Sequence, residues 1–126
     1  MGYNLIIGEK IIDDTDPEAH SYVWAKGVCL EEAPADGSPT DHTNERWPSY
    51  AGWGDLQNDC EHHGGGDVIA LIVEEHPGYL DITPDLNNKV QSLKAGRDYN
   101  KFRLEWLKFW TAWALKNCKN PVICNC

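Results

Sequence analysis

The chain has 126 residues, a net charge of −9 and 41% hydrophobic residues. That length suits one domain with its own core and no need of covalent staples. The acidic balance disfavours nonspecific binding to nucleic acid or to an anionic membrane, and leaves open a partner protein with a basic surface.

The N-terminus shows no basic start followed by an apolar run, so no signal peptide is expected. No apolar run approaches the roughly 20 residues of a membrane helix, and a cytoplasmic protein is expected. The five cysteines are Cys29, Cys60, Cys118, Cys124 and Cys126. An odd count without a secretion signal predicts reduced thiols, with Cys29 and Cys118 as small core residues.

Residues 3–12 alternate enough to predict a strand, bent or bulged at Gly8. An acidic loop follows, and then a second strand over 22–30, rich in β-formers. The two could pair antiparallel, although the connection does not force it. Residues 31–46 lack apolar periodicity and read as a long loop. Ser49 is a candidate N-cap for a short helix reaching Cys60, with Trp53, Leu56 and Cys60 at helical spacing. Residues 61–67 read as irregular. The apolar run 68–73 reads as a central strand, and 74–78 as a turn. Thr83 and Pro84 mark a helix start, Leu86, Val90 and Leu93 its apolar stripe, and Gly96 its end. A second helix follows closely, which favours an antiparallel pair. The tail 122–126 is apolar enough to add a short strand or pack on the core.

That second helix, 98–118, holds three of the six tryptophans: Trp106, Trp110 and Trp113. At about 100° per residue, Lys101, Glu105, Lys108 and Lys116 form one narrow charged stripe facing water. Arg103 lies opposite, on the face of Tyr99, Trp106, Trp110 and Asn117. A guanidinium there needs a partner, which is either an internal carboxylate or a ligand anion. In the second case aromatic faces and a forked cation suit a nucleotide, whose base stacks and whose phosphate is held bidentately.

Other candidate chemistry is weaker. Cys60, His62 and His63, with Cys118, Cys124 and Cys126, are metal-ligand types, but their spacing matches no familiar zinc module. No metal and no cofactor are expected. Gly64-Gly65-Gly66 would allow a backbone to approach a phosphate, yet it lacks the Lys-Ser/Thr of a P-loop. Cys60 near His62 is adjacent in sequence only, which is not the geometry of a nucleophile and its base. The acidic residues Asp36, Asp41, Glu45, Asp55, Asp59 and Glu61 read as a solvated face.

Several of these residues form longer patterns. They are Tyr3-x-Leu5-x-Ile7-Gly8, Pro48-Ser49-Tyr50-x-Gly52-Trp53, His76-Pro77-Gly78, and a C-terminal motif. The last runs Arg103-Leu104-Glu105-Trp106-Leu107-x-x-Trp110-x-x-Trp113-Ala114-Leu115-x-Asn117-Cys118, with Pro121 following. In these the chain resembles a family of small uncharacterised proteins found mainly in phages and related bacterial genomes. The resemblance covers most of the chain and implies a phage-like context. Small acidic proteins there often inhibit host defence, by sequestering nucleotide signals, mimicking DNA or capping a host enzyme.

The expected fold is therefore α+β, a single domain over 1–126. A small, mainly antiparallel sheet packs on helices 86–95 and 98–118, the last Trp-rich and buried. The leading function is a noncatalytic binding protein of phage type that captures a small anionic or nucleotide-like ligand. Its site would combine Arg103, Tyr99, Trp106, Trp110 and Asn117 with Trp47, Tyr50 and Trp53. The alternative is an acidic inhibitor that binds a basic host protein, or a nucleic-acid mimic. A small metal- or thiol-dependent enzyme ranks third. No direct nucleic-acid or membrane partner is expected, and a homo-oligomer stays open.

Overall fold

A computed structural model describes residues 5–12, 21–24, 33–34, 44–46, 50–73 and 78–125. Strand β1 (Leu5–Ile12) alternates as its sequence predicts, sending Leu5 and Ile7 fully into the core. It pairs antiparallel with β2 (Ser21–Trp24) through residues 9–12, and with β3 (Glu45–Arg46) through Leu5 and Ile6. On its other edge runs β5 (Pro121–Asn125), antiparallel over Leu5 to Glu9. Gly8 opposes Val122 in unbroken register, so no bulge forms there. Beyond β5 lies β4 (Gly78–Asp81), also antiparallel, giving the order β2-β1-β5-β4.

The tail is thus a central strand of the sheet. Val122, Ile123, Cys124 and Asn125 are all buried, because neighbours cover β5 on both edges and helices cover it further. Glu9 sets the turn into this strand. Its carboxylate accepts from Lys119 N–H at 2.9 Å and also from Asn120 N–H.

Four helices complete the described residues: α1 (Tyr50–His63), α2 (Gly66–Val73), α3 (Pro84–Gln91) and α4 (Asp98–Asn117). The architecture is α+β, as expected. The largest departure is α2, since residues 68–73 form a helix and not a central strand. A six-residue apolar run fits either element, and the glycines before it decide the matter. Gly64 and Gly65 take φ of 97° and 111°, which reverses the chain after α1. Gly66 then lies so close to α1 that a Cβ would overlap Glu61 and come 2.9 Å from Gln57 O. The triple glycine is therefore the joint of a helical hairpin, and 61–67 is helical except at that joint. Asn125 Nδ2 donates to Val73 O at 3.2 Å and satisfies one carbonyl at the end of α2.

The α3 start follows the sequence: Thr83 Oγ1 accepts from Leu86 N–H at 3.1 Å, with Pro84 at the first position. Its end does not. The helix stops at Gln91, and Leu93, Ala95 and Gly96 belong to the link into α4. Helix α4 packs on β1 and β5, and α1 and α3 pack on α4. Its middle is buried at Leu104, Trp106, Leu107, Trp110, Thr111 and Ala114, while Tyr99 and Phe102 in its first turns are exposed. The indole N–H groups of Trp53 and Trp110 and the Thr111 hydroxyl are buried without a hydrogen-bond partner among the described residues. Each such loss costs about 1–3 kcal/mol. Burying a Trp ring removes about 150–250 Å² from water, worth roughly 4–6 kcal/mol, which outweighs it. No helix among the described residues is long and apolar enough to cross a membrane.

Candidate functional site

Two polar constellations meet at the start of α4. The first is a cradle of carboxylates from α1. Asp55, Asp59 and His63 recur every fourth residue and so share one face of that helix. Asp59 is 7% exposed. Its Oδ1 accepts from Gly96 N–H at 2.9 Å and its Oδ2 from Arg97 N–H at 3.0 Å. Asn100, fully buried, donates from Nδ2 to Asp59 Oδ2 and to Asp55 Oδ2, both at 2.9 Å. Tyr99 Oη donates to Asp55 Oδ2 at 2.7 Å, and Arg97 pairs with Asp55 Oδ1. Arg103 Nη1 closes the set by donating to Asn100 Oδ1 at 2.8 Å, its guanidinium carbon 5.2 Å from the Tyr99 ring centroid.

The orientation of Asn100 follows from its neighbours. Only an N–H₂ can face two carboxylates, and only the carbonyl can face the guanidinium. Burial disfavours the charged form of Asp59, but the N–H donors of Gly96, Arg97 and Asn100 outweigh it and hold the carboxyl down at about 2. Hydrogen bonds from Tyr99, Asn100 and Arg97 lower Asp55 likewise. The cradle fixes the entry of α4 against α1, so Asp55 and Asp59 do not belong to the solvated face expected of them: Asp59 is buried and both carboxylates are held by donors of the fold. The clue was their spacing, four residues apart on a predicted helix.

The predicted site residues do not assemble around one opening. Trp53, Trp106 and Trp110 are at most 1% exposed and belong to the core. Asn117 is exposed at the far end of α4 and donates to Trp113 O at 2.9 Å. Tyr99 and Arg103 do meet, but inside the cradle. Trp47 and the side chain of Tyr50 lie outside the described residues.

The second constellation is an open groove of about 490 Å³ where the link after α3 crosses α4. Leu93 and Leu104, 1% and 4% exposed, form its floor together with Ala95. Lys94, Lys101 and Lys108 line it, with His63 and Glu105. Lys101 Nζ stands 3.7 Å from the exposed Asp98 carboxylate, whereas Lys94 and Lys108 form no ion pair with a described residue. Gln91 Nε2 donates to Lys108 O at 2.8 Å and pins the end of α3 beside the groove. His63 joins the two constellations. Its Nδ1 lies 2.9 Å from Asp59 O and 3.3 Å from Asp59 Oδ1, which makes that nitrogen the donor, and the ring packs on Gly96. Sequence reasoning placed Lys101 and Lys108 on a stripe facing water. It missed that the short link brings Lys94 opposite them.

The thiols offer no chemistry of comparable form. Burial and the nearby Asp59 charge push Cys60 up to about 11, and burial with Glu9 pushes Cys118 up to about 11. Both are protonated at neutral pH, and Cys60 is closed off from solvent while His62 is exposed. No group of three or more His, Cys, Asp or Glu among the described residues is arranged to hold a metal ion. No protein-family model, curated protein or solved structure matches the chain.

Proposed function

We propose that the protein is a noncatalytic binding protein that captures a small anionic ligand in the groove beside α4. One observation carries this reading. In a chain of net charge −9, a concave surface is lined by Lys94, Lys101, Lys108 and His63 against one carboxylate, Glu105. Among the described residues Lys101 pairs only with the exposed Asp98, and Lys94 and Lys108 pair with none, so this charge of opposite sign to the whole protein is left available to a ligand. Ammonium groups gathered round a recess attract and hold an anion. The reading keeps the expected ligand class and moves its site from the Trp-bearing face of α4 to the lysine-bearing one.

The test is calorimetric titration with pyrophosphate and with adenosine mono- and triphosphate at low salt. Binding is expected, weakening as salt rises. The Lys94→Ala, Lys101→Ala, Lys108→Ala triple variant should lose it at least tenfold and keep the wild-type melting temperature. Failure of every anion to bind the wild type would reject the reading.

A further inference from the structure

The lysines of the groove are cations at any physiological pH, whereas His63 becomes one only when it gains a proton. Resting on the anion-capture reading above, we infer that an oxyanion seats against Nε2 of His63 and that its capture takes up a proton on that ring.

The two ring nitrogens stand in different surroundings. Nδ1 lies 2.9 Å from Asp59 O and 3.3 Å from Asp59 Oδ1, so it keeps its proton in both charge states of the ring. Asp59 is itself anchored by the N–H groups of Gly96 and Arg97, which makes it a fixed partner. The neutral ring is thereby set in one tautomer, with only a lone pair on Nε2. No described residue hydrogen-bonds to Nε2, and the 46% exposed side chain lines the groove. An anion oxygen facing that lone pair is repelled. The same oxygen facing Nε2–H of the charged ring receives a charge-assisted hydrogen bond. Neutral His63 is therefore a mismatch in a groove of ammonium groups, and proton uptake removes it.

The surrounding charges set the direction of the coupling. On its own helix the ring faces Asp59, and Cys60 beside it is a neutral thiol. From the link comes Lys94, and from α4 come Lys101, Glu105 and Lys108. Without an anion, three ammonium groups oppose a further positive charge while Asp59 and Glu105 favour it. An anion among the lysines cancels their opposition and leaves the attraction of the carboxylates. Binding and protonation therefore reinforce each other, and affinity rises as pH falls through the range where imidazoles titrate.

The experiment titrates pyrophosphate into wild type and His63→Gln by calorimetry at pH 7, in buffers of different ionisation heat. Protons exchanged by pyrophosphate itself are common to both proteins, so the difference counts those of His63. Wild type should take up more, by a fraction of a proton per anion. Its affinity advantage over His63→Gln should widen by about threefold or more from pH 8 to pH 6. A second arm needs no variant. Saturating pyrophosphate should move the titration midpoint of the His63 ring resonances to higher pH, and leave that of His62, which is exposed and does not line the groove. Equal proton counts in the two proteins, or His62 moving as far as His63, overturn the inference and leave anion capture standing. No binding of pyrophosphate to wild type also overturns it, and no binding of either adenosine phosphate as well rejects the reading beneath it.

Discussion

The cradle and the groove are built from the same short stretches of chain, the end of α1 and the link into α4, yet their charges are used in opposite ways. In the cradle every charge is answered. Asp59 has three N–H donors, Asp55 has Arg97, Tyr99 and Asn100, and Arg103 meets Asn100. In the groove, a few ångströms away across His63, Lys94 and Lys108 are answered by no described residue. Charge that is satisfied inside the fold fixes geometry and has nothing left to offer a ligand. Charge left unanswered around a recess costs little stability at the surface and is available for binding. Arg103 shows why sequence position alone misleads. It sits on the aromatic face of α4, as a ligand anchor would, but its hydrogen bond holds the one carboxamide that separates two carboxylates.

The largest expected effect follows from that carboxamide. Asn100→Asp places a third carboxyl 2.9 Å from both Asp55 and Asp59, at a position with no solvent exposure. A loss of about 3–5 kcal/mol in denaturant melts at pH 7 is expected. The new carboxyl would ionise less readily in the fold than in the unfolded chain. Its protonated form keeps a donor for the cradle, so the deficit should shrink as pH falls from 7 towards 5. Asn100→Ala removes the donor without adding charge and should cost less. An Asn100→Asp variant as stable as wild type at pH 7 would mean the cradle is not the closed unit described above.

Second in size is the acid limb. Asp59 is held at about 2 in the fold, against roughly 3.9 in the unfolded chain. A depressed carboxyl contributes stability above its unfolded value and loses it as pH falls through the folded one. The window is therefore pH 4 down to 2, with Asp55 contributing in the same direction. Melting temperatures should fall across that window in the wild type. In Asp59→Asn the curve should start lower and run flatter, because the group that titrates is gone. Equal slopes in the two proteins would assign acid sensitivity to other carboxylates.

How much of this was legible in the sequence depends on where each signal was local. Thr83-Pro84 names a helix start because cap and first turn are contiguous, and Leu5 and Ile7 name a buried strand face through simple alternation. The 68–73 run was ambiguous because six apolar residues fill a helix or a strand equally well. The Gly64-Gly65-Gly66 joint that settles it is visible in the sequence, but its packing on Gln57 and Leu93 is not. The central place of β5 rests on partners more than a hundred residues away, which no local pattern reveals. The expected site residues lie apart for a related reason. An aromatic face with an arginine looks like a pocket on a helical wheel, and only tertiary packing shows that Trp106 and Trp110 are filled in from the other side. Lys94 and Lys108 come together through the link after α3, whose path was read as about one more helical turn.

The boundary between the two regions is Gly96, and a methyl group there tests how tightly they are joined. A Cβ would stand 2.7 Å from His63 Cε1 and 3.4 Å from Asp59 Oδ1. The imidazole is about half exposed and can swing away, whereas the Asp59 contact is an ordinary one. Gly96→Ala should therefore cost no more than about 1 kcal/mol. It should still shift the His63 ring resonances and weaken anion binding several-fold, since His63 lines the groove. Unmoved His63 resonances would show that the ring does not pack on this glycine.

The smallest expected effect is the most informative about the groove. Lys108→Ala removes a cation that pairs with no described carboxylate and keeps the main-chain oxygen that accepts from Gln91. Surface changes of this kind lie within about 0.5 kcal/mol. The stability of Lys108→Ala should therefore match wild type in thermal and denaturant melts, and the same holds for Lys94→Ala. Raising net charge from −9 to −10 adds a little self-repulsion, which salt should erase. Anion affinity should fall by several-fold in each single variant even though the fold is untouched. A lysine that proves structural would show the reverse: a clear drop in melting temperature at low and high salt, with binding lost only in step with folding. That result at Lys108 would place it with Asp59 and Asn100 as part of the scaffold, and the groove would lose its central cation.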